Sequence, residues 1–303
     1  MQYLRSCKLI VSTAGGDGLD LSNLHIKFAV KKADAQTPNT AEIRVYNVSE
    51  STVARIRKEF ARVILQAGYE SNFGVIFDGN IKQVRFGREN GTDTYIDIAA
   101  GDGDDAYNFA VVNTTLAAGA KQSDQIAAAG AQMSGRGIKT GYIADTGGQR
   151  LARGKVMYGM ARDYMRQSAE ASDTSWSIQD GKLQFVSATG VLPGQAIVLN
   201  SKTGLVGQPE QTNDGIKARC LLNPTLKIGG RVQINEKDVA EAKLQDTTKD
   251  AQVNRPADIA ADGSYRLLVV EHTGDTRGND WYSDLICLDV DATAPEKQQV
   301  KAA

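Results

Sequence analysis

The segment HTGDTRGNDWYSD places His272 close to Asp275, Asp280 and Asp284. A histidine oriented by a carboxylate serves as a hydrolase base when a serine or cysteine nucleophile stands beside it. No nucleophile elbow accompanies this group, and turn residues separate its members, so the segment reads as a hairpin. A second acidic group, Asp102, Asp104 and Asp105 in AAGDGDDAYNF, could ligate calcium or act as an acid–base pair. A calcium loop of the EF-hand type needs further oxygens and a terminal glutamate about seven residues on, where this chain has Val112. These three aspartates are therefore expected at a solvated joint between two segments. Gly15-Gly16-Asp17-Gly18 has the glycines of a phosphate loop, but Leu19-Asp20-Leu21 follows instead of Lys and Ser/Thr. A plain hairpin loop is predicted there.

The remaining reactive residues are sparse. Cys7, Cys220 and Cys287 are far apart and odd in number, which predicts reduced thiols and cytosolic folding without a disulfide framework. Cys220 alternates with Leu222 as a small core residue would. Two histidines, His25 and His272, and no C-x-x-C pair give zinc little to bind. Gly135-Arg136-Gly137, Lys139, Arg150, Arg153 and Lys155 form a locally basic loop region that could face DNA or an acidic partner, although a solvated surface also explains it. With a net charge of −1, the whole chain does not have the charge of a nucleic-acid binder. The sequence thus predicts no catalytic residues, cofactor or metal, and an assembly role.

The elements agree with that role. At 303 residues and 41% hydrophobic, the chain can bury a substantial core and is long enough for two or three domains. Its first residues lack a signal peptide's apolar run, and no stretch approaches the ~18–20 apolar residues of a membrane span, so a soluble, intracellularly made protein is expected. Residues 1–105 read as β, with Leu24, Ile26, Phe28 and Val30, then Ile43 and Val45, at every second position. A short helix capped at Ser49 carries Val53, Ile56 and Phe60, and Asn90-Gly91 marks a hairpin. Residues 106–188 read as a small α+β insert. It holds a helix from Ser123 to about Met133, a longer helix through Val156, Met157, Met160, Ala161, Tyr164 and Met165, and a hairpin turning at Asp180-Gly181. Residues 189–292 return to β, and 293–303 form a flexible tail. Lys243 to Gly263 is a polar run expected to be a long hairpin loop or a mobile excursion.

GYESNFGVIFDGNIKQV, residues 68–84, concentrates strand geometry without chemistry. A bend is predicted at Ser71-Asn72 and a local bulge at Asp78-Gly79. With LDLSNLHIKFAVKKADAQTPNTAEIRVYNVSESTVARI before it, the chain resembles the tail-hub (baseplate hub) proteins of T4-like and Mu-like tailed bacteriophages. The matching residues are Leu24, Ile26, Phe28, Pro38-Asn39-Thr40-Ala41 and Val45-Tyr46-Asn47-Val48-Ser49. After them come Ala67-Gly68-Tyr69-Glu70 and Ile76-Phe77-Asp78-Gly79-Asn80-Ile81. The likeness spans roughly residues 20–105 and 215–290.

This resemblance implies a mainly β fold with two tail-tube-like β-barrel modules plus a small inserted α+β domain. It further implies a homotrimeric ring of pseudo-six-fold symmetry in the virion tail, assembled in the host bacterial cytoplasm. The implied partners are the tail tube or a distal tail protein, the central spike and the tape-measure protein. DNA would pass through the lumen without sequence-specific binding, and the chain would not insert in a membrane. Three alternatives stay open: the hub of a tailocin or secretion-type apparatus, a cell-wall hydrolase, and a carbohydrate-binding β-protein.

Overall fold

The computed structural model describes residues 4–290 except 14–15, 90, 149, 213, 235–259 and 261–262. The sequence reading at Asn90, most of the polar run 243–263 and the tail 293–303 lies outside the described residues. Seven strands come first: β1 Arg5–Ser12, β2 Gly18–Asp20, β3 Ile26–Ala33, β4 Thr40–Tyr46, β5 Arg62–Tyr69, β6 Asn72–Arg88 and β7 Thr94–Gly101. Between β4 and β5 lies α1, Glu50–Glu59, whose first turn is capped by Ser49 Oγ accepting from the Thr52 N–H. Alternation drives these strands: Ile26, Phe28 and Val30 of β3, and Ala41, Ile43 and Val45 of β4, all face one core.

The insert follows as α2 Asp104–Phe109, β8 Val111–Leu116, α3 Gln122–Ser134, β9 Lys139–Ile143, β10 Lys155–Met160, α4 Ala161–Ala171, β11 Thr174–Gln179 and β12 Lys182–Ser187. It has a separate core of Ile126, Met133, Met157, Met165, Trp176 and Phe185, among others. Two sequence readings need correction here. The long helix predicted through Val156 begins only at Ala161, and residues 155–160 form a strand paired with β8. Buried Met157 between exposed Val156 and Tyr158 is a period-two signal, and Gly159 at φ +149° cannot continue a helix. The α3 helix starts before Ser123, and its Asp124 carboxylate accepts from the Lys121 N–H at 2.7 Å. The Asp180-Gly181 turn forms as predicted, both residues having positive φ (53° and 70°) in the manner of a type I′ hairpin.

The last strands are β13 Ile197–Leu199, β14 Leu205–Thr212, β15 Gly215–Leu221, β16 Arg231–Ile234, β17 Ser264–Asp275 and β18 Trp281–Asp289. They enclose a third core with Ile216, Cys220, Tyr265, Leu267, Leu285 and Cys287. They do not form a detached sheet. β17 pairs antiparallel with β3 from Val269↔Ala33 to Asp275↔Lys27. One 13-stranded sheet therefore runs β14-β15-β18-β17-β3-β4-β7-β6-β5-β1-β2, with β13 and β16 branching from β17. At the far end of the β17–β18 hairpin, Trp281 enters the first core, edge-on to Phe28 at 5.4 Å, and donates to the Gly68 carbonyl at 3.1 Å.

The stretch 68–84 bends at Glu70-Ser71, one residue earlier than predicted. Its register shifts lie between Val75 and Phe77 and between Ile81 and Gln83, so Ile76 and Lys82 are the extra residues. Asp78-Gly79 stays in register instead. A Cβ on Gly79 would sit 2.5 Å from the Gly101 carbonyl oxygen, so this glycine permits close strand approach.

Candidate functional site

The residues singled out for chemistry do not converge. His272 is fully buried, with Nδ1 2.8 Å from Ser283 Oγ, and burial pushes its pKa down to about 3, so it is neutral. Asp275 turns instead to His25, whose Nε2 lies 2.7 Å away and whose ring stacks on Tyr46. Asp284 pairs across strands with Arg219. Asp104 pairs with Lys82 at 2.8 Å and Asp105 with Arg136 at 2.9 Å, so neither joins Asp102 in a shared site. Among the described residues no cluster of His, Cys, Asp and Glu could hold a metal ion. Burial raises the pKa of all three thiols, that of Cys220 to about 12. Gly18 opens β2 in a hairpin with β1, closed by the Thr13 N–H donating to the Asp17 carbonyl.

Asp102 is not at a solvated joint. Its side chain is buried and accepts from the Gly181 N–H at 2.9 Å, fixing the β11–β12 turn. Burial outweighs that hydrogen bond and raises its pKa to about 7. The raised value means the folded state holds this proton more tightly than the unfolded chain. Asp102 therefore contributes stability below about pH 4 that is lost as pH rises through about 7. Asp102→Asn keeps the acceptor and removes the titration. Urea midpoints from pH 4 to 8 should show the variant gaining on wild type by on the order of a few kcal/mol. A pH-independent difference would refute this assignment.

What the fold assembles instead is a broad polar face on the large sheet. Bidentate pairs cross neighbouring strands on it: Arg44 with Asp97 at 2.7 and 3.0 Å, Arg219 with Asp284 at 2.7 and 3.0 Å, and Arg62 with Asp78 at 2.6 and 2.5 Å. Arg44 and Arg219 each lie directly opposite the partner carboxylate in the ladder. A hollow of about 570 Å³ opens on this face over β17, β3, β4, β7 and β6, with Lys27, Glu42, Arg85 and Asp280 at its lining. In these three pairs a cation meets a carboxylate across neighbouring strands of the face.

Behind the face, buried polar residues clasp the insert to both parts of the sheet. Arg266 on β17 reaches Asp34 just beyond β3, Ser175 Oγ on β11 and the carbonyls of Ser187 and Ala188. Asp180 accepts from Lys32 Nζ at 2.5 Å and from Lys227 Nζ at 2.7 Å. Asn39 Nδ2 donates to the Ile178 carbonyl at 3.1 Å and to Gln179 Oε1 at 2.8 Å. Sequence reasoning did not find this clasp. A signal was present at Lys32, which continues the buried phase of Ile26, Phe28 and Val30 where a solvated lysine does not belong.

Comparison with known proteins gives one family and one fold. Residues 9–237 match the family described as Baseplate hub gp41. No curated protein matches the chain. The 43 kDa tail protein of prophage MuSo2 from Shewanella oneidensis superposes with a TM-score of 0.59 at 8% identity, over 94% of this chain and 98% of that one. The tail protein from Neisseria meningitidis MC58 gives 0.59 at 9%, over 96% and 99%. The E. coli c3393 protein gives 0.51 at 8%, over 88% and 73%. It is described as a type VI secretion component structurally similar to the T4 bacteriophage tail proteins gp27 and gp5. At such identities the likeness is one of fold, and that fold is the mainly β architecture seen here.

Proposed function

The chain belongs to the baseplate hub gp41 family, and from that premise we propose that it is a non-enzymatic structural hub of a phage tail. Three copies form a ring of pseudo-six-fold symmetry that joins the tail tube, or a distal tail protein, to the central spike and contacts the tape-measure protein. Each copy supplies two tube-like β-barrel modules, residues 1–105 and 189–292, with the α+β domain 106–188 between them. The hub assembles in the host cytoplasm and ends in the virion. DNA leaves through its lumen.

The charge-paired face carries this reading. It is a wide, continuous sheet surface on which cations meet carboxylates across strands. A lumen must pass DNA without holding it, and these pairs hold Arg44, Arg62 and Arg219 against carboxylates instead of presenting them free to phosphates. The fold shared with a type VI secretion component keeps the hub of a phage-derived injection apparatus as a second reading of the same kind.

Sedimentation equilibrium of the purified chain tests the proposal. A trimer is expected, or a monomer that becomes a trimer on mixing with tail tube and spike proteins. A stable dimer closed by a two-fold axis would overturn it.

A further inference from the structure

Eight strands of the large sheet, β14-β15-β18-β17-β3-β4-β7-β6, follow one another in antiparallel order throughout. Both outer strands of this run have a free side. β5 accompanies β6 only as far as the Arg62↔Asn80 pair. Residues 82–88 therefore have β7 on one side and, among the described residues, no strand on the other. At the opposite end, β14 pairs among the described residues with β15 alone. An unpaired edge is a template for another strand.

The two edges match in three respects. The first is direction. Because the run has an even number of alternating strands, β6 of one copy is antiparallel to β14 of the next, and joining them continues the alternation. The second is charge. On the polar face a row crosses the sheet through Lys27, Arg44, Asp97 and Arg85, and Arg85 ends it on β6. Glu210 stands on the same face of β14, opposite Lys217. Arg85 and Glu210 are both exposed, and neither makes an ion pair among the described residues. The third is apolar cover on the core side. There half-buried Val84 packs on the first core with Phe86, 38% exposed, beside it in the same phase. Half-buried Leu205 packs on the third core from β14. Pro209 and the register shift between Val206 and Glu210 interrupt β14, which limits the registers a partner strand can adopt.

We infer that residues 82–88 of one copy pair antiparallel with β14 of the next. Arg85 meets Glu210 on the polar face, repeating across the junction the pairing seen within the sheet, and Phe86, Val84 and Leu205 are covered on the core side. The inference rests on the ring proposed above and adds which edges close it, leaving the polar face free to line the lumen. Two different edges meeting head to tail close a ring when the rotation permits.

Cross-linking and charge exchange test the contact. R85C/E210C treated with a short bismaleimide is expected to give covalent dimers and trimers on a denaturing gel. The parent protein, with its own Cys7, Cys220 and Cys287, supplies the background. An equal mixture of R85C and E210C should stop at the dimer, because a mixed trimer holds only one reactive junction. R85E and E210R are each expected to raise the concentration of half-assembly about ten-fold, and R85E/E210R to restore it. Both positions are exposed, and circular dichroism checks the fold of each variant. Where the wild type forms a trimer only with tail tube and spike proteins, the variants are read in that mixture. A trimer in which R85C/E210C links no more than the parent overturns the contact and leaves the hub reading in place. So does an exchanged pair that fails to recover assembly. A wild type that stays monomeric even with its tail partners, or closes as a two-fold dimer, overturns both.

Discussion

Arg266→Ala is expected to cost about 3–5 kcal/mol of unfolding free energy, the usual loss when one partner of a buried ion pair is removed. Both side chains of the Arg266–Asp34 pair are 6% exposed, so neither charge has water to fall back on. The guanidinium also satisfies the carbonyls of Ser187 and Ala188 at 2.6 and 3.0 Å. Alanine would leave the buried Asp34 carboxylate without its cation and the Ala188 carbonyl without this donor, while Ser175 Oγ would still donate to Asp34 Oδ2 at 2.9 Å. Because these groups belong to β3, the insert and β17, the damage should appear as loosening of the insert as well as lost stability. Urea unfolding followed both by whole-chain signal and by proteolysis within 188–196 would show it. Replacing both partners with Met and Leu should recover most of the loss, since Arg266 Nε and Asp34 Oδ1 are buried without partners and the pair is imperfectly satisfied. If the double replacement is as unstable as the single one, stranded charge is not the cause.

Trp281→Ala should cost about as much, 3–5 kcal/mol, by a different route, leaving a cavity where the largest side chain of the first core stood. Trp281 is 1% exposed and comes from the last strand among the described residues, yet it packs mostly among residues from the first hundred. The ring fits because position 274 is glycine. A Cβ there would stand 2.3 Å from Phe28 Cζ and 2.9 Å from the indole. Trp281→Phe should lose less, keeping the ring contact with Phe28 while leaving the Gly68 carbonyl without its donor, a loss of about 1–3 kcal/mol. Hydrogen exchange would localise the effect of alanine to β3 amides that pair with β17. Uniform loss of protection across all three cores would argue against that local seam.

Much of the fold was legible because its cause is local. Alternation at Ile26, Phe28 and Val30 reports a strand regardless of what it packs against, and Asp180-Gly181 encodes its turn within two residues. The helix assigned through Val156 shows the limit. Met157, Met160 and Met165 suit a helix by type, while the strand depends on pairing with residues some forty positions earlier. The clasp was hidden for the same reason, since Asp34, Ser175 and Arg266 meet only through tertiary structure. At His272 the strand ladder sets the partners, sending Asp275 to His25 and Asp284 to Arg219. The mainly β hub family was legible from motif order, which local geometry cannot supply.

The β3–β17 ladder also sets a schedule. Its two strands are separated by about 240 positions, so a ribosome adding ~5–20 residues per second delivers the second roughly 12–50 s after the first. Throughout that interval the β3 edge stands open beside a polypeptide whose neighbours on the polysome are doing the same. Such an edge invites pairing between half-made copies. Lys27, Lys31 and Lys32 space positive charge along that edge, which discourages two nascent β3 strands from pairing until β17 arrives to close the sheet.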